Sequence, residues 1–414
     1  MKKAVIVGVD HFHGAMVDYY LDELENLATS LSIEVIKRFK QKDKQSSTPF
    51  KIGKGKVEEI KESLHVEPVD YIIFNEELTN TQIRNLEEVL DCAVIDRTML
   101  ILETFTKRAK TKEAMLQVEI AQLRYLKPRL SALRSSFEQQ QGGIGQKGPG
   151  EKKLELDRRK IDKEIKTLKS QLNNIVKTRK INRQKRTESS LKNIAVVGYT
   201  NAGKSTLLNT LIDHSHHHKE ENNLKTENRL FATLETATRK IQLKDKKPFT
   251  ITDTIGFIAQ LPHELIDSFK ATLEEIKEAD LLIHVIDFSH PYYLDQIQTT
   301  ETVLKELGVD QIETLYVFNK IDLSNEFIPN NYTPAVKISL KDKTNIDLLI
   351  SKINELLFKD DTICVYRIPQ NRGDIVSLLN ETAEMIDQRY DDDDVIIKAR
   401  VDKALKSKLK SFES

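Results

Sequence analysis

Between residues 192 and 209 the chain runs from Lys192-Asn193-Ile194-Ala195-Val196-Val197, through Gly198-Tyr199-Thr200-Asn201-Ala202-Gly203-Lys204-Ser205, into Thr206-Leu207-Leu208-Asn209. No other feature of the sequence restricts the fold as strongly. It predicts a strand, a tight loop and a helix, with the loop amides turned inward onto an anion and the helix N-terminus adding its dipole. Lys204 supplies a point charge for phosphate, and Ser205 a hydroxyl for a divalent cation. A strand feeding a helix in this way belongs to an α/β architecture with a largely parallel sheet.

The same region specifies the base. Thr314-Leu315-Tyr316-Val317-Phe318 reads as a buried strand delivering Asn319-Lys320-Ile321-Asp322 at its C-terminal end, where α/β sheets bind ligands. The Asp322 carboxylate can accept from the N1–H and the exocyclic amine of guanine. Adenine offers neither donor on that edge, and an unpaired Asp322 would be costly. The expected ligand is therefore GTP or GDP. Between loop and base motif lies Thr250-Ile251-Thr252-Asp253-Thr254-Ile255-Gly256, in which Asp253 can hold magnesium through water and the Gly256 N–H can reach the γ-phosphate. Loss of that phosphate would free the segment that follows. Upstream, Phe231-Ala232-Thr233-Leu234-Glu235 precedes Thr236 and Thr238, and one threonine hydroxyl here is expected to complete the magnesium shell. Ser339-Leu340-Lys341 follows Val336-Lys337-Ile338 as a strand-end loop whose amides could touch the base carbonyl. Phe257, directly after Gly256, cannot orient an attacking water. Hydrolysis then needs water positioning from a partner or a neighbour, and Asn201 is a candidate for binding a potassium ion in place of an arginine finger.

Four segments are expected: an N-terminal α/β domain over 1–105, a basic helical hairpin over 106–188, the nucleotide domain over 189–360, and a small α+β appendage over 361–414. In the first, Ala4–Val7, Ile33–Ile36, Tyr71–Phe74 and Ala93–Ile95 are candidate strands. Val57–Leu64 and Thr81–Leu90 are candidate helices, the second with Asn80 as its N-cap. Ile52-Gly53-Lys54-Gly55-Lys56 could touch phosphate, although a turn is the plainer reading. In the second segment, Leu116, Ile120, Leu123, Leu130 and Leu133 recur at helical spacing, as do Leu154, Ile161, Ile165, Leu168, Leu172 and Ile175. These predict two antiparallel amphipathic helices, with Pro128 kinking or interrupting the first. The joining loop around 141–151 carries five glycines in nine positions from Gly142 to Gly150. It is a flexible connector or a surface for close backbone approach, and a contact with RNA is the favoured reading. The appendage shows strand-like Ile363–Tyr366 and Val395–Ala399, a helical stretch near Asp374–Met385, and an acidic turn at Asp391–Asp394.

Charge decides what the hairpin faces. The chain carries 64 basic and 64 acidic residues, yet Lys107 to Arg186 holds 23 Lys/Arg against 8 Asp/Glu, leaving 41 against 56 elsewhere. Such segregation is the footprint of a polyanion partner, although solvated helix faces would give the same composition. Cys92 and Cys364 can build neither a disulfide framework nor a zinc site, which suits a reducing cytosol. Met1 to Gly8 reads as a first strand rather than a signal peptide, and no apolar run is long enough for an integral membrane span. Intact Lys204, Ser205, Asp253 and Asp322 argue against a vestigial site. An RNA-facing switch remains, with a GTPase of RNA modification or of a protein signalling complex as the alternative. The charge segregation and the glycine tip favour the former.

The chain resembles the HflX family of ribosome-associated GTPases, translation-factor-type GTPases of the Obg/HflX kind. The resemblance rests on Ile52–Ile60, Val94-Ile95-Asp96-Arg97-Thr98, Gln117–Leu123, Gly142–Glu151 with Leu154-Glu155 and Arg158-Arg159, Leu230–Leu234, Asp253–Ile258, Leu261-Pro262-His263 and Ala271–Glu275. It implies a P-loop GTPase domain with an N-terminal α/β domain, a long antiparallel helical hairpin and a small C-terminal α+β domain. It further implies binding to the large ribosomal subunit, with the glycine-rich tip on rRNA in the peptidyl-transferase region. GTP-dependent splitting of stalled or idle ribosomes under stress would follow. By the same resemblance Thr233 is the magnesium threonine beside Ser205, and Lys204, Thr233 and Gly256 form the expected catalytic set. A cytoplasmic, ribosome-associated monomer with peripheral membrane association is the corresponding expectation. The chain departs from the family pattern at Gln141, Lys147 and Asp213–Lys219. The histidines at 214 and 216–218 could bind a transition metal, but a solvated loop is the favoured reading.

Overall fold

The computed structural model describes residues 1–10, 15–42, 49–138, 149–187, 191–215, 237–243, 247–254, 256–258, 276–324, 327–391 and 393–414. They divide into two compact units, Met1–Ile181 and the described residues from Asn182 onward.

In the first unit, β1 (Lys2–Asp10), β2 (Ile33–Lys42), β3 (Tyr71–Phe74) and β4 (Ala93–Asp96) form a wholly parallel sheet in the order β2-β1-β3-β4. Parallel neighbours cannot be joined by tight turns, so helices must cross between them. These are α1 (Ala15–Ser30), α2 (Lys54–Val66) and α3 (Asn80–Leu90). One sheet face buries Val5, Val7, Phe39, Ile72, Phe74 and Val94 against Val57, Ile60, Leu86 and Leu90. Each such side chain contributes about 1.5–3 kcal/mol relative to exposure. Lys54–Lys56 opens α2 rather than forming a free turn, and the Gly53 N–H donates to Gln41 Oε1 at 3.0 Å.

The cap of α3 is Thr79, not Asn80. The Thr79 hydroxyl accepts from the Gln82 N–H at 3.3 Å, and Gln82 Oε1 accepts from the Thr79 N–H at 3.0 Å. This reciprocal pair satisfies two end donors at once. Asn80 instead donates to the Pro128 carbonyl at 2.6 Å.

Asp96 ends β4 and caps α4 (Arg97–Arg108), accepting the Met99 N–H at 3.0 Å. The chain then forms the hairpin helices α5 (Lys112–Glu138) and α6 (Pro149–Thr187). They meet along Leu116, Ile120 and Leu123 against Ile161, Ile165, Leu168, Leu172 and Ile175. Helix α6 begins at Pro149, inside the expected loop, because a proline at the first helical position has no amide to lose. Residues 141–148 of the tip lie outside the described residues.

Pro128 does not interrupt α5, which continues through it. Beside it, Arg129 donates to the carbonyls of Tyr125 and Leu78 at 3.1 Å each, and to Asp96 Oδ2 at 2.9 Å. Asp96, fully buried, also accepts the Tyr125 hydroxyl at 2.7 Å and the Leu78 N–H at 3.2 Å. The opposite flank of α5 is buried as well, at Ala114, Val118, Ala121 and Tyr125.

In the second unit, six strands run in the order β10-β9-β8-β5-β7-β6. They are β5 (Lys192–Val197), β6 (Ala237–Ile241), β7 (Phe249–Asp253), β8 (Leu281–Asp287), β9 (Thr314–Asn319) and β10 (Ala335–Lys337). All pair in parallel except β6, which is antiparallel to β7. A three-stranded antiparallel sheet follows, β11 (Thr362–Pro369), β12 (Glu384–Asp391) and β13 (Asp394–Val401), with β13 central. The helices Gly373–Thr382 and Lys403–Lys408 cover one face. Between the two sheets, buried Lys247 donates to Asp361 at 2.5 Å and lies over the Phe358 ring. No helix among the described residues is long and apolar enough to cross a membrane.

Candidate nucleotide site

The C-terminal ends of β5, β7, β8 and β9 converge on one edge of the six-stranded sheet, and the polar motifs sit there. From β5 the chain enters the loop Gly198–Gly203 and then α7 (Lys204–Asp213). Gly198 has φ +141° and Gly203 φ +106°, in the half of φ space that side chains avoid. Space is closed too. A Cβ at Gly198 would lie 2.2 Å from the Val285 carbonyl oxygen, and one at Gly203 2.5 Å from Asn319 Nδ2. The loop is thus threaded between β8 and β9, which explains why both positions are glycine. Asn201 adopts φ +63° at the loop crest, and its side chain is exposed.

Lys204 is buried, and its ammonium donates to the carbonyls of Gly198 at 3.0 Å and Tyr199 at 2.6 Å. Burial pushes this group down to about 8, with the Asp253 carboxylate opposing the shift. The Ser205 hydroxyl donates to Asp253 Oδ2 at 2.8 Å, and Asp253 is fully buried at the end of β7. A hydroxyl beside a buried carboxylate, at a helix N-terminus, fits a hard divalent cation that takes oxygen ligands. Thr254 donates to the Val196 carbonyl at 2.6 Å, fastening this segment to β5. Thr238 is engaged with Thr252 at 3.0 Å within the β6–β7 pair. Thr233, with Phe231, Ala232, Leu234 and Glu235, lies outside the described residues, as do Ile255 and His216–His218.

Gly256 lies against the loop: a Cβ there would be 2.9 Å from Lys204 Nζ. The next residue explains the missing glutamine. Phe257 is 2% exposed, so its ring belongs to the core, while its backbone bridges to the phosphate loop. Its N–H donates to the Gly198 carbonyl at 3.1 Å, and its carbonyl accepts the Thr200 N–H at 2.7 Å.

The base motif is held from three sides. Asn319 donates to the Ala202 carbonyl at 2.9 Å and accepts the Leu340 N–H at 3.2 Å, tying the phosphate loop to the Ser339–Lys341 loop. Ser339 donates to Asp322 Oδ1 at 2.8 Å, leaving the rest of that exposed carboxylate open. Lys320, at φ +66°, donates to Asp287 Oδ2 at 2.6 Å. Ile321 and Lys341 fall within the same cluster of loops, half-buried and exposed respectively.

Two residues here escaped the sequence reading. Asp287 closes an apolar strand, and its position at the ligand-binding edge was the available signal. His284 lies on the β8 face shared with Val197 and Tyr316, fully enclosed, with no partner for Nδ1 among the described residues. Burial holds it down to about 3, and the Lys204 charge adds to the effect.

Comparison with known proteins supplies independent findings. The family model "GTP-binding GTPase N-terminal" matches residues 18–106, "GTP-binding GTPase Middle Region" residues 108–186, and "50S ribosome-binding GTPase" residues 193–320. The chain is 42% identical to the GTPase HflX of Caldanaerobacter subterraneus subsp. tengcongensis over 95% of this chain and 90% of that protein. It is 38% identical to the GTPase HflX of Escherichia coli, over 85% and 82% of the two chains. Among solved structures it is similar to a GTP-binding protein from Sulfolobus solfataricus in complex with GDP, 25% identical, with a TM-score of 0.45 over 87% of this chain and 99% of that one.

Proposed function

The chain belongs to the HflX family of GTPases and hydrolyses GTP, and from that premise we propose that it is a ribosome-splitting factor acting on the large subunit under stress. The observation that carries the nucleotide part is the junction at Asn319. One side chain joins the phosphate loop, through Ala202, to the base-side loop, through Leu340. A ligand filling both would span a phosphate and a purine.

In this reading the amides of Gly198–Ser205 cradle the β-phosphate at the N-terminus of α7, and Lys204 leaves the loop carbonyls to bridge the β and γ phosphates. The Gly256 N–H takes a γ-phosphate oxygen, Asp322 takes the guanine N1–H and amine, and the Ser339–Lys341 amides lie toward the base carbonyl. Ser205, Thr233 and, through water, Asp253 would hold magnesium, which when bound neutralises charge developing between the two phosphates. In this reading Asn201, at the loop crest, would help hold potassium in place of an arginine finger. Asn201→Ala should abolish any difference between turnover in potassium and in sodium, and a persisting difference would end that assignment.

The ribosomal part is supported by the family and by the charge of the hairpin, whose α6 arm exposes Arg158, Arg159, Lys163, Lys166 and Lys169. Basic side chains along one arm suit an RNA backbone. A cytoplasmic monomer organised as the four segments expected from the sequence, in peripheral contact with membranes at most, completes the proposal. Mixing the protein and a non-hydrolysable GTP analogue with intact ribosomes should lower light scattering as subunits part. Unchanged scattering, with binding confirmed by pelleting, would rule out splitting.

A further inference from the structure

We propose that Asp287 is a positioning residue for the guanine site, acting through Lys320; the inference rests on the nucleotide reading above. β8 and β9 lie side by side with Asp287 paired to Asn319, and the ladder extends one step past the strands, where the Phe288 N–H donates to the Asn319 carbonyl at 2.9 Å. The two strand tips are therefore strapped together. Asp287 is fixed on its own side of this strap. Its Oδ1 accepts the Ser289 hydroxyl at 2.6 Å and the Ser289 N–H at 3.2 Å. Its other oxygen, Oδ2, takes the Lys320 ammonium at 2.6 Å, in a pair whose side chains are 14% and 28% exposed.

This arrangement does two things for a bound base. The four-carbon stem of Lys320 runs from the β9 tip to the β8 tip as a fixed apolar rail, its head held by a charge-assisted bond. It also keeps the ammonium away from Asp322, two residues on, whose exposed carboxylate must stay open to accept from guanine. With Asp287 neutralised, Lys320 is free to swing toward Asp322 and compete with the base. The left-handed backbone at Lys320 and the Ser289 turn serve the same end, since each fixes one partner of the pair.

The test is the off-rate of a fluorescent GDP from the full-length chain in wild type, Asp287→Asn, Lys320→Met and the double variant. Asparagine keeps the shape and an acceptor while removing the charge. We expect Asp287→Asn and Lys320→Met each to raise the off-rate roughly tenfold, the scale of one lost charge-assisted bond, and the double variant to add little more. Thermal unfolding without nucleotide should stay near wild type, which a merely structural role for Asp287 would not allow. Should Asp287→Asn not fold, Ser289→Ala, which removes the hydroxyl donor to Oδ1 and keeps the backbone N–H at that position, should raise the off-rate roughly two- to threefold, part of the worth of one hydrogen bond to a charged group. An unchanged off-rate in Asp287→Asn, or in Ser289→Ala where that variant is the one read, overturns the assignment. So does full additivity of Asp287→Asn with Lys320→Met. A wild-type chain that held no GDP would be a distinct failure, overturning the nucleotide reading and this inference with it.

Discussion

The two parallel sheets of this protein end alike and are used differently. In each, polar residues gather at the C-terminal ends of the strands, where backbone groups and loops leave room for a ligand. In the first unit that room is taken by the protein itself. Asp96 at the end of β4 accepts from Leu78, Met99, Tyr125 and Arg129, and neighbouring Arg97 reaches Glu23 and Asn75. In the second unit, Lys204 donates, among the described residues, to the carbonyls of its own loop, and Asp322 keeps most of its carboxylate open to solvent. A polar strand end marks a place where a ligand fits, but what already satisfies those groups decides whether it becomes a site or a joint. In the first unit the joint anchors the hairpin helix α5 to its sheet.

The largest expected effect separates the two uses most sharply. Lys204→Ala should lower GTP turnover by about a thousandfold or more, because phosphoryl transfer relies on charge placed at the phosphates. It should not weaken the fold in denaturant melts, since burial already disfavours the Lys204 charge more than its neighbours favour it. A melt collapsing along with turnover would show Lys204 to be a structural joint as well. The reverse pattern is expected at Asp96. Asp96→Ala leaves the Arg129 guanidinium buried beside Tyr125 without its carboxylate, and should destabilise the first unit by about 3 kcal/mol. Turnover per folded molecule should be unchanged. A stable Asp96→Ala protein would mean that solvent or another group replaces the pair.

The smallest effect concerns His284 in the second unit, a buried group whose Nδ1 has no partner among the described residues. Its folded value, about 3, lies below the ordinary histidine value of 6.5. Between these two the unfolded chain binds more protons, so stability is present above pH 6.5 and is lost as pH falls toward 3, at up to about 1.4 kcal/mol per pH unit. His284→Phe should remove this contribution to the acid limb of a stability–pH profile. An unaltered acid limb would show that His284 gains solvent or a partner before it is protonated.

Legibility followed the range of the physics involved. The phosphate loop could be read because its constraints are local: three residues with positive φ, two of them glycine, with one lysine and one hydroxyl, between a strand and a helix. Asn319–Asp322 was equally plain, since its strand and its motif are contiguous. Helix α1 was not read, although two parallel strands at Ala4–Val7 and Ile33–Ile36 require a crossover between them. Helix α4 was hidden by composition, because Thr98, Ile101, Phe105 and Thr106 favour strands. What makes it helical is the Asp96 cap and the burial of Arg97 against residues distant in sequence. Strand β12 escaped because Asp387, Arg389 and Asp391 give it no apolar face, as suits a solvated sheet edge. Asp287 and its hold on Lys320 depend on β8 lying beside β9, which no local pattern records.

The most direct measurement of the whole account is GTP turnover by the purified chain, alone and with intact large ribosomal subunits. With Phe257 turned into the core and no glutamine in its place, the basal rate should be slow and should rise steeply when the subunit is added. A rate indifferent to the subunit would leave a GTPase but contradict the ribosome as its activator.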